Sequence, residues 1–535
     1  MAISVSNESI NLSDGQTEFV LPLRQSLLDD GLTIAEAVNI FSSILSGNRK
    51  LIVYSKKDFK HFLLDYADFS LSCACEDVSI MKYLSDFSGS QQTLSDVIAE
   101  HDLAPNTPAT DLIYLHDLFS KKLEQAGMQK LYVQVELPLS DVLFEMELAG
   151  FKVDAEALRQ TGARYKDKLA LLESRIRELI GEETLNVNSP KQLGEVLFEK
   201  LKVAKGKKTK SGYSTSAEVL ESIEDKHPSI PLILQYRQAQ KLYSTYIEGF
   251  RPLIDTKTGL IHTSFNQTVT ATGRLSSKEP NLQNIPVREE EGKELRKFFV
   301  PRDDQHVLIG ADYSQIELRL LAAFSECKSL ITAFNEGKDI HSATASKVFG
   351  VELDKVTPSM RSSAKAVNFG IIYGISEYGL AKNLKISPIK AREYISSYFK
   401  EYPEVKAYMD KNVDFARKTG YAETILGRKR VIHEIHSSNY NLRSFGERAA
   451  MNMPLQGSSA DVIKLAMLGV HERLKKEKLQ SKLILQVHDE LIIDALISEK
   501  EKVEKILIEE MEGALKLSVP LTVSVGSGKN WFDAK

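Results

Sequence analysis

Val487-His488-Asp489-Glu490-Leu491, flanked by Leu483-Ile484-Leu485 and Ile492-Ile493, is the stretch on which the reading of this chain turns. Strand-forming residues alternate on both sides of a polar trio, so the pattern predicts two short strands joined by a tight turn. Two adjacent acids at such a tip are poor core material and good ligands for a cation. An acidic hairpin turn is most often only a solvated loop. Its meaning depends on what the fold sets beside it.

Far upstream, His306-Val307-Leu308-Ile309-Gly310-Ala311-Asp312 reads as a buried strand, and a helix is expected from about Ser314 through Gln315, Glu317 and Arg319. Asp312 then stands at a strand end facing outward. Pairing of the two strands in one antiparallel sheet would bring Asp312 and Asp489 together. Converging carboxylates repel each other unless cations lie between them. Hard oxygen ligands of this kind suit Mg²⁺, which keeps waters and takes up substrate phosphates. Two such ions are what two-metal phosphoryl transfer requires.

In Met360-Arg361-Ser362-Ser363-Ala364-Lys365-Ala366-Val367-Asn368-Phe369-Gly370, the residues Arg361, Lys365 and Phe369 recur every four positions. At 3.6 residues per turn they span a stripe of about 80° on one helix, whose start Thr357-Pro358 marks. Two cations followed by a ring match a triphosphate followed by a sugar and base. An amphipathic helix with surface charges and one core Phe is the bland alternative. Gly370 and Gly374 weigh against it, since each costs about 1 kcal/mol inside a helix relative to Ala and so predicts close approach by something else.

The rest of the chain bounds the answer. Its 535 residues suggest three or four domains, and 42% hydrophobic with 27% charged residues is ordinary for a soluble globular protein. No apolar run spans a membrane and Met1-Ala2-Ile3-Ser4 is no secretory signal, so a cytoplasmic, non-membrane protein is expected. Cys73, Cys75 and Cys327 fit neither a disulfide framework nor a zinc spacing. A net charge of −4 argues against a uniformly basic surface but leaves room for a local basic channel.

Residues 1–130 read as an α/β unit with strands at 18–23 and 50–54, and a loop is expected at 102–111. A long projecting helix is predicted over 154–180, another from Ser189-Pro190, and a second capping box at Thr215-Ser216-Ala217-Glu218. Between the last two lie Lys202, Lys205, Lys207, Lys208 and Lys210 among flexible residues. Such a run is a solvated loop, or a phosphate grip that reads no bases.

The segments carrying Asp312, Arg361 with Lys365, and Asp489 resemble motifs A, B and C of the family A DNA polymerases. Thr270-Ala271-Thr272-Gly273-Arg274-Leu275-Ser276-Ser277, Pro280-Asn281-Leu282-Gln283-Asn284-Ile285-Pro286 and Asn452-Met453-Pro454-Leu455-Gln456-Gly457 match as well, and the resemblance is dense from about Val133 onward. It implies an α+β multidomain right-hand polymerase with a palm built on an antiparallel sheet and a helical thumb and fingers. The expected divisions are an exonuclease-like, RNase H-like α/β unit at 1–130, thumb 131–265 with a first palm segment at its start, palm 266–330, fingers 331–450 and palm 451–535.

By that resemblance Asp312, Asp489 and the Tyr313 backbone carbonyl hold two Mg²⁺ ions, which Mn²⁺ can replace, and Glu490 supports them. Arg361, Lys365 and His341 meet the triphosphate of a deoxynucleotide, and Lys365 can also protonate the pyrophosphate. Phe369, Tyr373 and Gln315 line the nucleotide pocket, and Glu317 excludes a 2′-hydroxyl. Arg274, Arg448, Asn452, Gln456 and His488 contact the primer-template end, with Lys207 and Lys208 on the DNA backbone. Minor-groove acceptors vary little between base pairs, so Arg and Gln donors there test pair shape in any sequence. The implied activity is template-directed DNA synthesis in replication and repair, by a monomer. A single-subunit RNA polymerase lacks a bulky acid at the gate, and a catalytically inactive DNA-binding relative would not keep every metal and phosphate residue.

One departure is expected. The family's nuclease carries an Asp-x-Glu pair in its first strand; no such pair occurs here, and Met1 to Leu23 reads as if the chain began just past that strand. Asp77 and Asp111 alone cannot build a two-metal site. Neither proofreading nor a 5′ nuclease is expected of this chain.

Overall fold

The computed structural model describes every residue except 25–29, 46–49, 68–72, 87–91, 104–106, 211 and 287–289, so the middle of the loop expected at 102–111 and one residue of the lysine run lie outside it. Its centre is a four-stranded antiparallel sheet in the order Lys482–Val487, Glu490–Leu496, His306–Tyr313, Val523–Gly528. The unbroken apolar run Leu308 to Ala311 explains the central position, because only a strand covered on both faces buries such a run. Helices Leu137–Ala149 and Tyr440–Lys476 pack on the hairpin, and Lys500–Gly513 packs on the strands beside it. Gly310 lets the end of the chain cross the sheet: a Cβ there would lie 2.3 Å from the Ala534 carbonyl oxygen.

The long helix expected over 154–180 is Ala155–Ile180, capped by Asp154, with Ser229–Leu242 packed along it. At its far end, Pro190–Glu195 begins under a Ser189 cap, and the lysine run folds into a small β-hairpin of Lys208–Thr209 and Gly212–Tyr213 rather than a plain loop. The ring of Tyr213 is the reason, since it packs against Phe198 at 5.4 Å and carries Lys208 Nζ above it at 5.5 Å. The box expected at Thr215 and Glu218 does not form: Ser216 caps Ala217–Glu221, while Thr215 receives Arg237 and Glu218 pairs with Lys382 at 2.5 Å.

Six helices, Lys328–Asn335, Ile340–Phe349, Pro358–Ile372, Glu377–Leu384, Pro388–Glu401 and Pro403–Thr419, follow over the stretch expected as fingers. All four expected boundaries fall inside single elements: 130 within helix Gln129–Leu131, 265 within strand Ser264–Asn266, 330 within helix Lys328–Asn335 and 450 within helix Tyr440–Lys476.

The N-terminal sheet has the order Glu18–Pro22, Ser9–Ser13, Ala2–Val5, Leu51–Val53, Cys75–Asp77, antiparallel through the first three and parallel through the last three. The opening residues do form a strand: Ala2–Val5 lies at the centre of the sheet and carries no acid. Among the described residues no helix is long and apolar enough to cross a membrane.

Candidate active site

Register places the acids. Asp312 pairs directly with Glu490 across the ladder, and Tyr313 N–H donates to the Asp489 carbonyl at 3.1 Å, so Asp312 and Asp489 sit side by side at one end of two neighbouring strands. His488 and Asp489 are the two turn residues, and His488 adopts φ +53°, a left-handed conformation that costs a non-glycine residue about 1 kcal/mol or more. Gln486 and Gln283 hold the turn in place: Gln486 Nε2 donates to the His488 carbonyl at 2.5 Å, and Gln283 Nε2 donates to Gln486 Oε1 at 3.1 Å.

The three acids part company in their surroundings. Glu490 is buried and turned inward, where it accepts from Trp531 Nε1 at 3.2 Å and lies 3.7 Å from Arg296 and 3.4 Å from Lys535. Asp489 accepts only from Ser459 Oγ, at 3.0 Å, among the described residues. Asp312 is exposed and, among the described residues, accepts no side-chain hydrogen bond. The cleft walls strip water from it and Glu490 and Asp489 add like charge, which together push its carboxyl up to about 6. A divalent cation between Asp312 and Asp489 would remove that penalty.

Above this floor, Arg361, Lys365 and Tyr373 are exposed and Phe369 half-buried along one stripe of Pro358–Ile372, while Ala364, Val367, Asn368 and Ile371 face the core. Lys365, Phe369, Tyr373 and Arg448 line a cleft of 1190 Å³. Arg361 is not free: its Nε donates to Asp339 Oδ2 at 2.5 Å. The sequence holds a signal for Asp339 that went unread, a carboxylate one residue before helix Ile340–Phe349, where it also accepts the His341 N–H. His341 itself is 2% exposed, its ring turned inward in this structure. It lies 5.8 Å from Phe369, and burial holds it down at about 4, hence neutral. Asn368 Nδ2 contacts its Nδ1 at 3.0 Å; with Nδ1 assigned as the acceptor, the proton sits on Nε2.

The close approach expected at the two glycines is present. A Cβ on Gly370 would meet Ile375 Cγ2 at 2.6 Å, and one on Gly374, at φ +61°, would meet Arg448 Cγ at 2.9 Å. The close neighbour is the protein itself, where the chain turns back from the helix.

Glu317 is 5% exposed and held by two donors, Arg274 at 2.9 Å on one oxygen and the Tyr373 hydroxyl at 2.9 Å on the other. Arg448, Asn452 and Gln456 recur every four residues on Tyr440–Lys476, and Ser459 continues the stripe to Asp489. That continuation, three residues past Gln456, was legible by periodicity alone. Gln315 takes a left-handed conformation at the cap of Ile316–Phe324, and its side chain makes no cap bond. Lys207 and Lys208 are exposed at the open end of the small hairpin, where Lys208 pairs with Tyr213.

The chain belongs to DNA polymerase family A, whose family model matches residues 155–533. It is 49% identical to DNA polymerase I of Caldicellulosiruptor bescii over 505 residues, covering 93% of this chain and 59% of that one. It is likewise 49% identical to DNA polymerase I of Geobacillus stearothermophilus, covering 84% and 51%. The chain thus spans about half the length of the curated relatives it matches. A solved structure, the POL domain of Pol1 from M. smegmatis in complex with DNA primer-template and dNTP, superposes with a TM-score of 0.90 at 37% identity, covering 100% of this chain and 95% of that one.

Proposed function

We propose that this chain is a template-directed DNA polymerase that adds deoxynucleotides to a primer 3′ end and releases pyrophosphate, in DNA replication and repair. The observation that carries it is the pair Asp312 and Asp489, adjacent and under-bonded, with Glu317 just beyond Asp312 joined by the Tyr373 hydroxyl to the end of the helix that bears Arg361 and Lys365. Mg²⁺ fits the donor set. Among the described residues no group of three or more His, Cys, Asp and Glu could hold a metal alone, so Asp312, Asp489 and the Tyr313 carbonyl would share two ions with the triphosphate. When bound, the ions supply an activated attacking hydroxyl and charge compensation at the leaving oxygen, and Mn²⁺ could do the same.

The protein's own groups do the rest. Arg361 exchanges Asp339 for the triphosphate, Lys365 Nζ grips it and protonates the leaving oxygen, and His341 Nε2–H is the donor that turns toward phosphate when the fingers close. Phe369 and Gln315 flank the nucleotide, Glu317 fills the space a 2′-hydroxyl would need, and Tyr373 yields the template position. Arg274, Arg448, Asn452, Gln456 and His488 read the primer-template end, and closure completes the site only for a correct pair. Every residue named comes from one chain, so a monomer suffices, and we place it with DNA in the cytoplasm. Primer extension with all four deoxynucleotides in Mg²⁺ is the test; a protein that binds primer-template but extends nothing is the inactive alternative.

We read the N-terminal unit, residues 1–130, as a nuclease-type scaffold without the acids for proofreading. Asp77 supports this: buried, it accepts from Lys56 N–H, Ser79 Oγ and Ile80 N–H at 2.7–3.1 Å, and so serves as a cap. Asp111 lies in a helix first turn with one oxygen unpartnered.

A further inference from the structure

Tyr83 belongs to helix Val78–Asp86 of the N-terminal unit, yet its hydroxyl donates to the Thr270 carbonyl at 2.8 Å. That carbonyl also accepts the Gly273 N–H at 3.4 Å, and Thr270 Oγ1 donates to the Arg274 carbonyl at 2.6 Å. Tyr83 therefore grips the turn Thr270-Ala271-Thr272-Gly273-Arg274 at the atom that closes it. Burial pushes the phenol up to about 12, so it stays a donor.

From below, the turn rests on Arg428. Gly273 has φ +82°, and a Cβ on it would lie 2.4 Å from Arg428 Nε, so only glycine lets the guanidinium so close. Arg428 is itself immobilised: it is 2% exposed, donates twice to Asp461 Oδ1 at 2.9 and 2.7 Å, and pairs with Glu136, which Lys464 Nζ reaches at 2.6 Å. The turn is clamped between the N-terminal unit and a buried charge cluster. Its last residue, Arg274, holds Glu317, which holds Tyr373.

We propose that Tyr83 is a positioning residue: the N-terminal unit, lacking nuclease acids, acts as a brace that fixes Arg274 and, through it, the Glu317 carboxylate that selects the sugar. This rests on the reading of the chain as a DNA polymerase. A turn free to shift by a fraction of an ångström loosens the Arg274 to Glu317 pair, and an off-place carboxylate leaves room for a hydroxyl.

Single-nucleotide insertion on a matched primer-template tests it, comparing kcat/KM for a deoxynucleotide with that for its ribonucleotide. Tyr83→Phe keeps the ring and removes only the hydroxyl. It should lower the deoxy-to-ribo ratio about fivefold, the worth of one hydrogen bond, while the urea midpoint and primer-template Kd stay near wild type. On an Arg274→Ala background the same change should add nothing. Thr270→Val, which removes the bond to the Arg274 carbonyl, should act alike and serves if Tyr83→Phe folds poorly. An unchanged ratio, an equal loss for both sugars, the same effect with and without Arg274, or failure of both variants to fold overturns the brace. Wild-type protein that extends no primer would instead overturn the polymerase reading.

Discussion

The palm sheet and the N-terminal sheet present acids at strand ends in opposite ways. Asp77 ends strand Cys75–Asp77 with its carboxylate filled by three donors from the two helices that follow the strands. Asp312 and Asp489 end their strands with one donor between them among the described residues, the Ser459 hydroxyl. A carboxylate that already accepts three hydrogen bonds has little left to offer a cation, whereas an under-bonded pair in like-charge contact is stabilised by one. Position at a strand end therefore does not make an acid catalytic; the count of donors around it does.

The strongest way to break this contrast is at the palm. Asp312→Ala and Asp489→Ala should each cut primer extension by about a thousandfold or more, the scale on which a preorganised charge site fails, with primer-template binding largely kept. Extension near the wild-type rate in either variant would falsify the assignment. Asp77→Ala should behave as a stability variant, with unfolding in urea eased by about 2–4 kcal/mol because buried donors lose a charged acceptor, and extension unaltered. Mononucleotide release from a mismatched 3′ end that Asp77→Ala abolishes and Asp489→Ala does not would make the N-terminal sheet a nuclease after all.

Glu317 sharpens the comparison, being buried like Asp77 but held by two side chains that can let go. Glu317→Ala should raise ribonucleotide insertion relative to deoxynucleotide by about tenfold, read from the ratio of kcat/KM; unchanged sugar discrimination removes the gate. The smallest effect is expected outside both sheets. Lys207→Ala with Lys208→Ala should weaken DNA binding equally across sequences and lower its salt slope by about 1–2, and a slope left untouched returns the hairpin to a solvated loop.

Much of the fold was legible because local rules and tertiary need agree. The hairpin at 482–496, the capped helix starting at Thr357 and the long helix from Asp154 each follow from patterns of period 2 or 3.6 with their stop signals. Ala2–Val5 escaped because a four-residue strand at the edge of the sequence has too little pattern to read, although it is central in the sheet. The lysine hairpin escaped because an aromatic contact between Tyr213 and Phe198, not turn chemistry, organises it.

Residue type and spacing suffice for the chemistry available here: two outward acids beside apolar strands, two cations and a ring on one helical stripe, and no Asp-x-Glu pair in the opening residues. Those are properties of residue type and period, and they survive any arrangement of the domains. The folded arrangement settles the donors around each acid, that Glu490 turns to Trp531 while Asp489 does not, that Gly374 packs against Arg448, and that Tyr83 reaches the Arg274 turn. These hydrogen-bond partners lie between 30 and 187 residues apart in the chain, and no local period encodes such pairings.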